Sequence, residues 1–300
     1  MTNITPSYKG RFAPSPTGEL HFGSLLAALS SYLDAKKQKG LWLVRIEDLD
    51  LTRVQANSAK HILKTLEDFG FEWDENVIYQ SERNDLYECN LRYLKSENLI
   101  YACDCSRNKL KQQLSFPVYP GTCRDKRSTP TTPYALRCKT PPLRISINDQ
   151  IQGQYSVNLN HDCGDFIVKR RDNLFAYHLA VVSDDAEQGI TDIVRGADLL
   201  TSTPQQAYLQ QQLNLSQPVY SHIPIAMHKN GLKLSKSHQD LPIRLHNPVE
   251  IMNQALIFLN QNPPEELSKS SLNEFWQWAI ENWKIEKIEN QIEKVFSLDL

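Results

Sequence analysis

The first stretch with residue types suited to chemistry is residues 13–24, which read APSPTGELHFGS. Two prolines and two glycines predict a tight loop, and an apolar helical pattern follows it directly. Gly18 and Gly23 would let the backbone approach a ligand closely, because glycine has no Cβ. The free N–H groups at a helix start attract anions, and His21 and Ser24 add side-chain donors. The stretch therefore predicts a phosphate site, which is not a Walker A loop because the sequence contains no G-x-x-x-x-G-K-[ST].

A second candidate for phosphate chemistry is KLSKS at residues 233–237, in a polar loop that follows Gly231. Lysines in a mobile loop can close over a triphosphate and neutralise the charge that develops on leaving pyrophosphate. Short runs of lysine and serine are usually solvated loops, so this stretch is informative only together with the first one.

A third candidate is a cluster of cysteines. Three of the six cysteines, Cys103, Cys105 and Cys123, lie within 21 positions. Six cysteines in 300 residues are too few for a disulfide scaffold, whereas clustered thiolates are typical zinc ligands. A closed structural zinc site has four ligands. On spacing alone the fourth could be Cys138, His161 or Cys163. Three reduced thiols without a metal are the alternative.

Strand and helix signals alternate around the first loop. Residues 9–13 predict a short strand, and residues 24–40 predict a helix with one apolar stripe and Gly40 as its cap. Residues 41–48 are typical of a fully buried parallel strand. This βαβ pattern predicts an open parallel sheet, in which ligands bind beyond the carboxyl ends of the strands.

The rest of the chain continues this pattern with one interruption. Further helices are predicted at 56–70, at 82–98, from an N-cap at Thr203 onward, and beyond Pro248. Further strands are predicted at 177–185, 190–196 and 219–226. Residues 101–165 are rich in Cys, Pro, Thr and Arg, which favours an inserted subdomain with β-structure.

Composition excludes several classes of protein. Hydrophobic residues make up 40% and charged residues 23%, as in soluble globular proteins. We find no apolar run of about 20 residues and no secretory signal, so we expect a cytoplasmic protein without membrane contact. The net charge is only −2, but residues 101–147 hold nine basic and two acidic residues. This basic middle favours a module that faces a polyanion, with a solvated basic surface as the alternative.

Taken together, HFGS in the first loop and KLSKS resemble the HIGH and KMSKS signatures of class I aminoacyl-tRNA synthetases. RIEDLD and VVSDDAEQGITDIVRGADLL are similar to the glutamyl branch in particular. Ser24 replaces the last histidine of HIGH, and Leu234 replaces the methionine of KMSKS. The resemblance implies an α/β fold with a Rossmann-like catalytic domain at 1–100 and 166–245. It also implies a zinc-containing insertion at 101–165 and a small helical part at 246–300.

The resemblance also implies roles for individual residues. Glutamate would be bound by Arg11, Phe12, Ala13, Pro14, Ser15, Glu47, Tyr177 and Arg195. Among these, Arg11 and Arg195 would meet the two carboxylates, since a guanidinium binds a carboxylate in bidentate fashion. Glu47 would meet the α-ammonium, with Asp48 and Asp50 as rivals. Structural salt bridges are the alternative for the two arginines, and a core position is the alternative for Tyr177.

The same resemblance predicts the nucleotide and metal sites. ATP would be bound, with Mg²⁺, by His21, Gly23, Ser24, Lys233, Ser235 and Lys236. Of these, His21, Ser24 and Lys236 would act in catalysis. The family pattern C-x-C…Y-x₃-C is matched by Cys103, Cys105, Tyr119 and Cys123, which implies one structural zinc ion. Cys138 remains the rival to Tyr119.

About 60 residues follow KLSKS, whereas full glutamyl-tRNA synthetases continue into a separate anticodon-binding region. The resemblance is therefore to a short branch that activates L-glutamate with ATP in the absence of tRNA. That branch transfers the glutamate to queuosine at the wobble position of tRNA(Asp). We expect ATP, L-glutamate and tRNA(Asp) with queuosine as partners, and we expect the protein to be a monomer. The alternatives are a truncated enzyme that charges a tRNA 3′ end and a non-catalytic RNA-binding module.

Overall fold

The computed structural model describes residues 8–106, 110, 118–126, 128–229, 231–234 and 242–296. The α-helices in these ranges are α1 (Phe22–Lys37), α2 (Ser58–Asp68), α3 (Asn84–Ser96), α4 (Tyr177–Glu187), α5 (Thr203–Gln212), α6 (Pro248–Phe258) and α7 (Leu272–Asn282). Short 3₁₀ turns lie between several of them, and Leu159–Cys163 forms a π-helical turn.

The strands fall into a parallel and an antiparallel group. The first six are β1 (Lys9–Phe12), β2 (Leu41–Ile46), β3 (Ile78–Tyr79), β4 (Ile100–Cys103), β5 (Ala135–Cys138) and β6 (Arg144–Asp149). The others are β7 (Gly153–Asn158), β8 (Phe166–Lys169), β9 (Asp192–Gly196), β10 (Val219–Ile223), β11 (Ile225–Met227) and β12 (Glu293–Val295). β4, β5 and β8 form an antiparallel sheet, and β6 and β7 form a hairpin. Residues 101–165 therefore contain β-structure as predicted, although their sheet is completed by β8, which begins at Phe166.

The parallel strands build the edge at which a ligand is expected. β2 pairs with β1 and β3, and β9 pairs with β10, all in parallel. The amide of Thr191 donates to the carbonyl of Lys9 at 2.9 Å, which brings β9 alongside β1. The carboxyl ends of β1, β2 and β9 therefore meet, as the βαβ pattern predicted.

Helix α1 confirms the first predicted helix, although it begins two residues earlier, with His21 as its N-cap. The prediction that Gly40 caps it is right only in part: the amide of Gly40 donates to the carbonyl of Ala35 at 2.9 Å, but Gly40 is not the left-handed residue. The helix ends at a C-cap on Gln38, and the residue that adopts a left-handed conformation is Lys39, with φ of 54°. Gly40 also serves a second purpose, because a Cβ there would overlap the carbonyl oxygen of Tyr8. It lets the start of β2 pass close to the chain that enters β1.

The prediction of a strand at 177–185 is also wrong, because this segment is α4. Seven consecutive residues of α4, from Leu179 to Asp185, are buried. When a helix is covered on several sides, its apolar and polar residues no longer alternate with the 3.6-residue period that distinguishes a helix from a buried strand. Two adjacent valines, Val181 and Val182, added to the resemblance to a strand.

The remaining predicted elements are confirmed with small differences. The N-cap of α5 is Ser202 and not Thr203, and Pro224 divides the predicted strand 219–226 into β10 and β11. The segment beyond Pro248 is mainly helical, but its end forms β12, which pairs in parallel with β11 and was not predicted.

Two hydrophobic clusters support the sheet edge. The first surrounds α1, β2, α6 and α7. In it, the ring centroid of Tyr32 lies 5.0 Å from that of Trp42 and 4.8 Å from that of Trp276. The second lies beneath α3, α4, α5 and the antiparallel strands. Within the described ranges, no helix combines the length and the apolar character needed to span a bilayer.

Candidate active site

The loop that joins β1 to α1 forms the floor of a cavity of about 520 Å³. Gly18 has φ of 138°, a conformation that residues with a Cβ rarely adopt, so glycine is needed there. The amide of Ser24 donates to Nδ1 of His21 at 3.3 Å, which places the imidazole at the first turn of α1. Since Nδ1 accepts this bond, the neutral ring carries its proton on Nε2, 3.2 Å from the Ser24 hydroxyl.

Four of the six residues predicted to bind ATP line this cavity, namely His21, Gly23, Ser24 and Lys233. The ammonium of Lys233 lies 2.7 Å from a carboxylate oxygen of Asp198, which lines the same cavity. The sequence did not single out Asp198 or Arg53, which also lines it. Ser235 and Lys236, the other two predicted residues, lie outside the described residues.

A second cavity of about 310 Å³ lies beyond the carboxyl ends of β1, β2 and β9. Seven of the eight residues predicted to bind glutamate line it, namely Arg11, Phe12, Ala13, Ser15, Glu47, Tyr177 and Arg195. The eighth, Pro14, lines the larger cavity. The two cavities share six lining residues, namely Phe12, Ala13, Ser15, Ala27, Gly196 and Leu199. A molecule in the small cavity would therefore lie next to one held at the start of α1.

A buried charge network holds one side of the small cavity. Nε of Arg11 donates to Oδ1 of Asp185 at 3.1 Å, and Nη2 of Arg45 donates to the same oxygen at 2.8 Å. Nη2 of Arg45 also lies 3.5 Å from Oε1 of Glu47. Burial alone would raise the pKa of Asp185, but Arg11 and Arg45 hold it below its usual range. Arg11, Asp185, Arg45 and Glu47 thus form one chain of alternating charge whose two ends line the cavity.

Glu47 differs from Asp185 in its electrostatics. Burial raises the pKa of the Glu47 carboxyl to about 7, and the nearby Arg45 and Arg11 only partly oppose this effect. The rivals lie in other environments: Asp48 accepts from the amide and hydroxyl of Ser81, and Asp50 pairs with Arg170 at 2.6 Å. Of the three acids after β2, Glu47 alone lines the small cavity.

Arg195, near the end of β9, also lines the small cavity. Nη2 of Arg195 donates to the hydroxyl of Thr203 at 2.9 Å and to Oε1 of Gln206 at 2.7 Å. Its Nε donates to Nε2 of His222 at 3.0 Å. Nη1 is buried and has no hydrogen-bond partner in the part of the chain that the structure describes. A buried donor without a partner costs about 1–3 kcal/mol, so this nitrogen favours a ligand with an acceptor oxygen.

Sequence reasoning missed the residues that orient these side chains. Arg45 lies within RIEDLD and Asp185 within VVSDD, but nothing in either stretch indicates that the two meet. The two residues are 140 positions apart. Arg45, a charged residue within the apolar run of β2, is a local signal, whereas Asp185 lies among other polar residues and gives none.

The predicted metal ligands lie together in a separate small cluster. The sulfur atoms of Cys103, Cys105 and Cys123 lie within 4.8 Å of one another. The phenol oxygen of Tyr119 lies 3.3 Å from the sulfur of Cys103 and 3.8 Å from that of Cys105. The three thiols are compatible with a four-coordinate structural zinc site, and the phenol of Tyr119 lies close enough to them to be considered as the fourth donor.

The three other candidates for the fourth ligand lie elsewhere. Cys138 belongs to the second hydrophobic cluster, where burial raises the pKa of its thiol to about 12. Cys163 packs against the same cluster, and His161 is exposed beside Asp162. The geometry therefore favours Tyr119 over each of them as the fourth donor.

Comparison with known proteins defines the class. Residues 8–257 match the family model for the catalytic domain of class I tRNA synthetases (E and Q). A glutamate tRNA ligase from Elizabethkingia meningosepticum, crystallised in complex with its amino acid, superposes with a TM-score of 0.82 at 27% identity. The superposition covers 97% of this chain and 67% of that one. The fold is that of a class I aminoacyl-tRNA synthetase catalytic domain.

Curated relatives narrow this assignment. The glutamyl-Q tRNA(Asp) synthetase of Pseudomonas paraeruginosa is 47% identical over 285 residues, which cover 95% of this chain and 96% of the relative. The protein of the same name from Pseudomonas fluorescens is 48% identical, with 94% and 93% coverage. The chain belongs to the glutamyl-Q tRNA(Asp) synthetase family.

Proposed function

We propose that this protein activates L-glutamate with ATP before it binds RNA, and then transfers the glutamate to queuosine at the wobble position of tRNA(Asp). The names of its close relatives support the acceptor. The match to the class I catalytic domain supports activation through an adenylate. Activation without tRNA is supported by the small cavity, whose arginines are oriented by groups of this chain alone.

The observation that carries the proposal is the pair of buried arginines in one cavity. Arg11 and Arg195 are each only 4% exposed, and each has its Nε engaged by a protein group. Two guanidiniums that line one cavity suit glutamate, a ligand with two carboxylates, and Nη1 of Arg195 has no partner among the described residues. The Glu47 carboxylate would bind the α-ammonium, and the Tyr177 hydroxyl would close the same pocket.

ATP would lie in the adjoining larger cavity. The first turn of α1, with His21, Gly23 and Ser24, would hold phosphate oxygens, since its N–H groups and dipole favour anions. Lys233 supports this role from its position on the cavity wall. Ser235 and Lys236 complete the proposed site from the sequence, and Mg²⁺ would accompany the nucleotide.

The chemistry needs no protein nucleophile. A carboxylate oxygen of glutamate attacks the α-phosphorus of ATP, and pyrophosphate leaves with the electrons of the broken P–O bond. A hydroxyl of queuosine then attacks the activated carbonyl, loses its proton, and AMP leaves. The protein contributes the alignment of the reactants and stabilises the charge that develops on the phosphates.

Zinc would be held by Cys103, Cys105, Tyr119 and Cys123, where it would tie β4 to the segment around residue 120. Tyr119 also lies under a guanidinium, with Cζ of Arg137 at 3.8 Å from its ring. We further propose the division into a catalytic part at 1–100 and 166–245, an insertion at 101–165 and a C-terminal part at 246–300.

Glutamate-dependent exchange of labelled pyrophosphate into ATP, measured without any tRNA, tests the activation step. We expect exchange by the wild-type protein and an increase in KM for glutamate of about tenfold to a hundredfold in Arg195→Lys, because lysine lacks the planar fork. Arg124→Gln, which removes an arginine paired with Asp165 away from the cavity, should leave that KM unchanged. Exchange that requires tRNA would overturn activation in its absence.

A further inference from the structure

Arg195 is the end of a buried three-residue chain that the sequence did not reveal. Nε of Arg195 lies 3.0 Å from Nε2 of His222, and Nδ1 of His222 lies 2.6 Å from Oδ2 of Asp149. Their exposed fractions are 4%, 0% and 3%. The three residues come from β9, β10 and β6, so the chain joins the parallel sheet to the hairpin of β6 and β7.

The directions of these hydrogen bonds follow from chemistry. Nε of an arginine always carries a proton, so Nε2 of His222 must accept. A neutral imidazole that accepts at Nε2 carries its proton on Nδ1, which donates to Asp149. Burial and Arg195 lower the pKa of His222, although Asp149 opposes them, which favours the neutral ring. Thr203 does not disturb this arrangement, because its hydroxyl proton goes to the carbonyl of Leu199.

Asp149 is itself fixed by backbone groups. Its Oδ1 accepts from the amides of Ile151 at 3.0 Å, Gln152 at 2.8 Å and His222 at 3.1 Å. The first two bonds hold the turn between β6 and β7, the third ties that turn to β10, and Oδ2 is left for the imidazole. The carboxylate therefore determines which ring nitrogen of His222 is protonated.

We propose that Asp149 and His222 are positioning residues for the amino-acid site, which set the orientation of the Arg195 guanidinium toward a substrate carboxylate. The inference rests on the proposed role of Arg195 in binding glutamate. With Nε held by His222 and Nη2 by Thr203 and Gln206, only Nη1 is left without a partner among the described residues. A guanidinium fixed at two of its three nitrogens presents the third with little loss of conformational entropy on binding.

The proposal also assigns a second purpose to the segment that would carry zinc. Asp149 lies within 101–165, and the amide of Gln150 donates to the carbonyl of Tyr220 in β10 at 2.9 Å. Residues of the insertion thus reach the amino-acid pocket through His222. Displacement of the hairpin would alter the position of Arg195.

Asp149→Asn tests the tautomer directly. The amide oxygen can keep the three backbone bonds of Oδ1, which places the NH₂ group against Nδ1 of His222. The ring must then move its proton to Nε2, where it meets the N–H of Arg195, and two donors face each other. We expect KM for glutamate in pyrophosphate exchange to rise about tenfold to a hundredfold, with KM for ATP unchanged. In ¹⁵N spectra the protonated nitrogen of His222 should change from Nδ1 to Nε2.

Asp34→Asn is the matched control. Asp34 is a buried carboxylate that accepts from Tyr8 and Trp283, remote from the cavity. We expect it to lower stability without a change in either KM. Wild-type KM for glutamate in Asp149→Asn, or a protonated Nε2 in the wild-type spectrum, would overturn the proposal.

A second pair of variants keeps the test informative if Asp149→Asn fails to fold. His222→Gln retains an acceptor oxygen near the position of Nε2, whereas His222→Leu has a similar size and no acceptor. We expect KM for glutamate to stay within about threefold in the first and to rise about tenfold or more in the second. Equal values in the two would overturn the proposal. The ¹⁵N spectra report the tautomer even if the wild-type protein fails to activate glutamate, so failure of the proposed function is distinguishable.

Discussion

The ring of Phe296 stacks on the ring of Phe22, with centroids 3.9 Å apart and planes 5° from parallel. Phe22 is the first residue of α1, and Phe296 follows β12 near the end of the chain. The amide of Phe296 donates to the carbonyl of Met227, at the end of β11. The C-terminal segment thus supports both the start of α1 and the strand that leads to KLSKS.

This contact predicts a combined effect on stability and on nucleotide binding. Phe296→Ala should lower the free energy of unfolding by about 3 kcal/mol, since a buried aromatic ring is lost. It should also raise KM for ATP, because the first turn of α1 loses the ring that packs against it. Phe275→Ala removes a fully buried ring from α7 and should lower stability at least as much, with no change in KM. An unchanged KM for ATP in both variants would contradict a role in the nucleotide site.

The raised pKa of Glu47 predicts a pH dependence of glutamate binding. Burial raises this pKa to about 7, and only the ionised carboxylate attracts an ammonium group. Affinity for glutamate should therefore increase about tenfold between pH 6 and pH 8, as the ionised fraction rises. Glu47→Gln should bind weakly at every pH and lose this dependence, which calorimetric titration at several pH values would measure. Affinity that falls over this interval would contradict the assignment.

The cysteine cluster predicts one zinc ion per chain and a specific fourth ligand. Cys123→Ala should weaken zinc binding by more than the 10- to 100-fold that is typical of an outer-shell partner. Tyr119→Phe keeps the ring beneath Arg137 and should weaken binding through loss of the oxygen alone. Cys138→Ala should keep its zinc. Elemental analysis and competition with a chelator measure these differences, and zinc lost from Cys138→Ala but kept by Tyr119→Phe would reverse the choice of ligand.

The sequence predicts a catalytic role for Lys236, which lies outside the residues that the structure describes. Lys236→Ala should slow adenylate formation about 10²- to 10³-fold, because one donor to the transition-state charge is lost. The fold should be unchanged. Lys229→Ala, an exposed lysine of the same loop, is the control and should retain the wild-type rate. Wild-type pyrophosphate exchange in Lys236→Ala would contradict the role.

The elements around the first loop could be predicted because their signals are local. The apolar stripe of α1 and the Pro/Gly content of the loop before it each lie within one short window. The helix at Tyr177–Glu187 was taken for a strand because burial on several sides removes the periodicity that separates the two. Strand β12 could not be predicted because β11, its partner among the described residues, lies 68 positions earlier.

The residues of the candidate site likewise differ in whether a local sequence signal could reveal them. Residues that face a ligand, such as Arg11, Glu47 and Arg195, occur in stretches that resemble a known family. The residues that orient them, such as Asp185 and His222, are recognisable only from contacts between distant segments. Asp149 and His222 are 73 positions apart, and no local pattern indicates that a carboxylate in a hairpin fixes a histidine in the parallel sheet.

The central claim is that glutamate is transferred to queuosine. Its most direct test is the transfer of labelled glutamate, in the presence of ATP, to two matched preparations of tRNA(Asp), one with queuosine and one without it. We predict label only on the preparation that contains queuosine. Label on the tRNA that lacks queuosine, or on the 3′ end of tRNA(Glu) in a parallel reaction, would contradict the account.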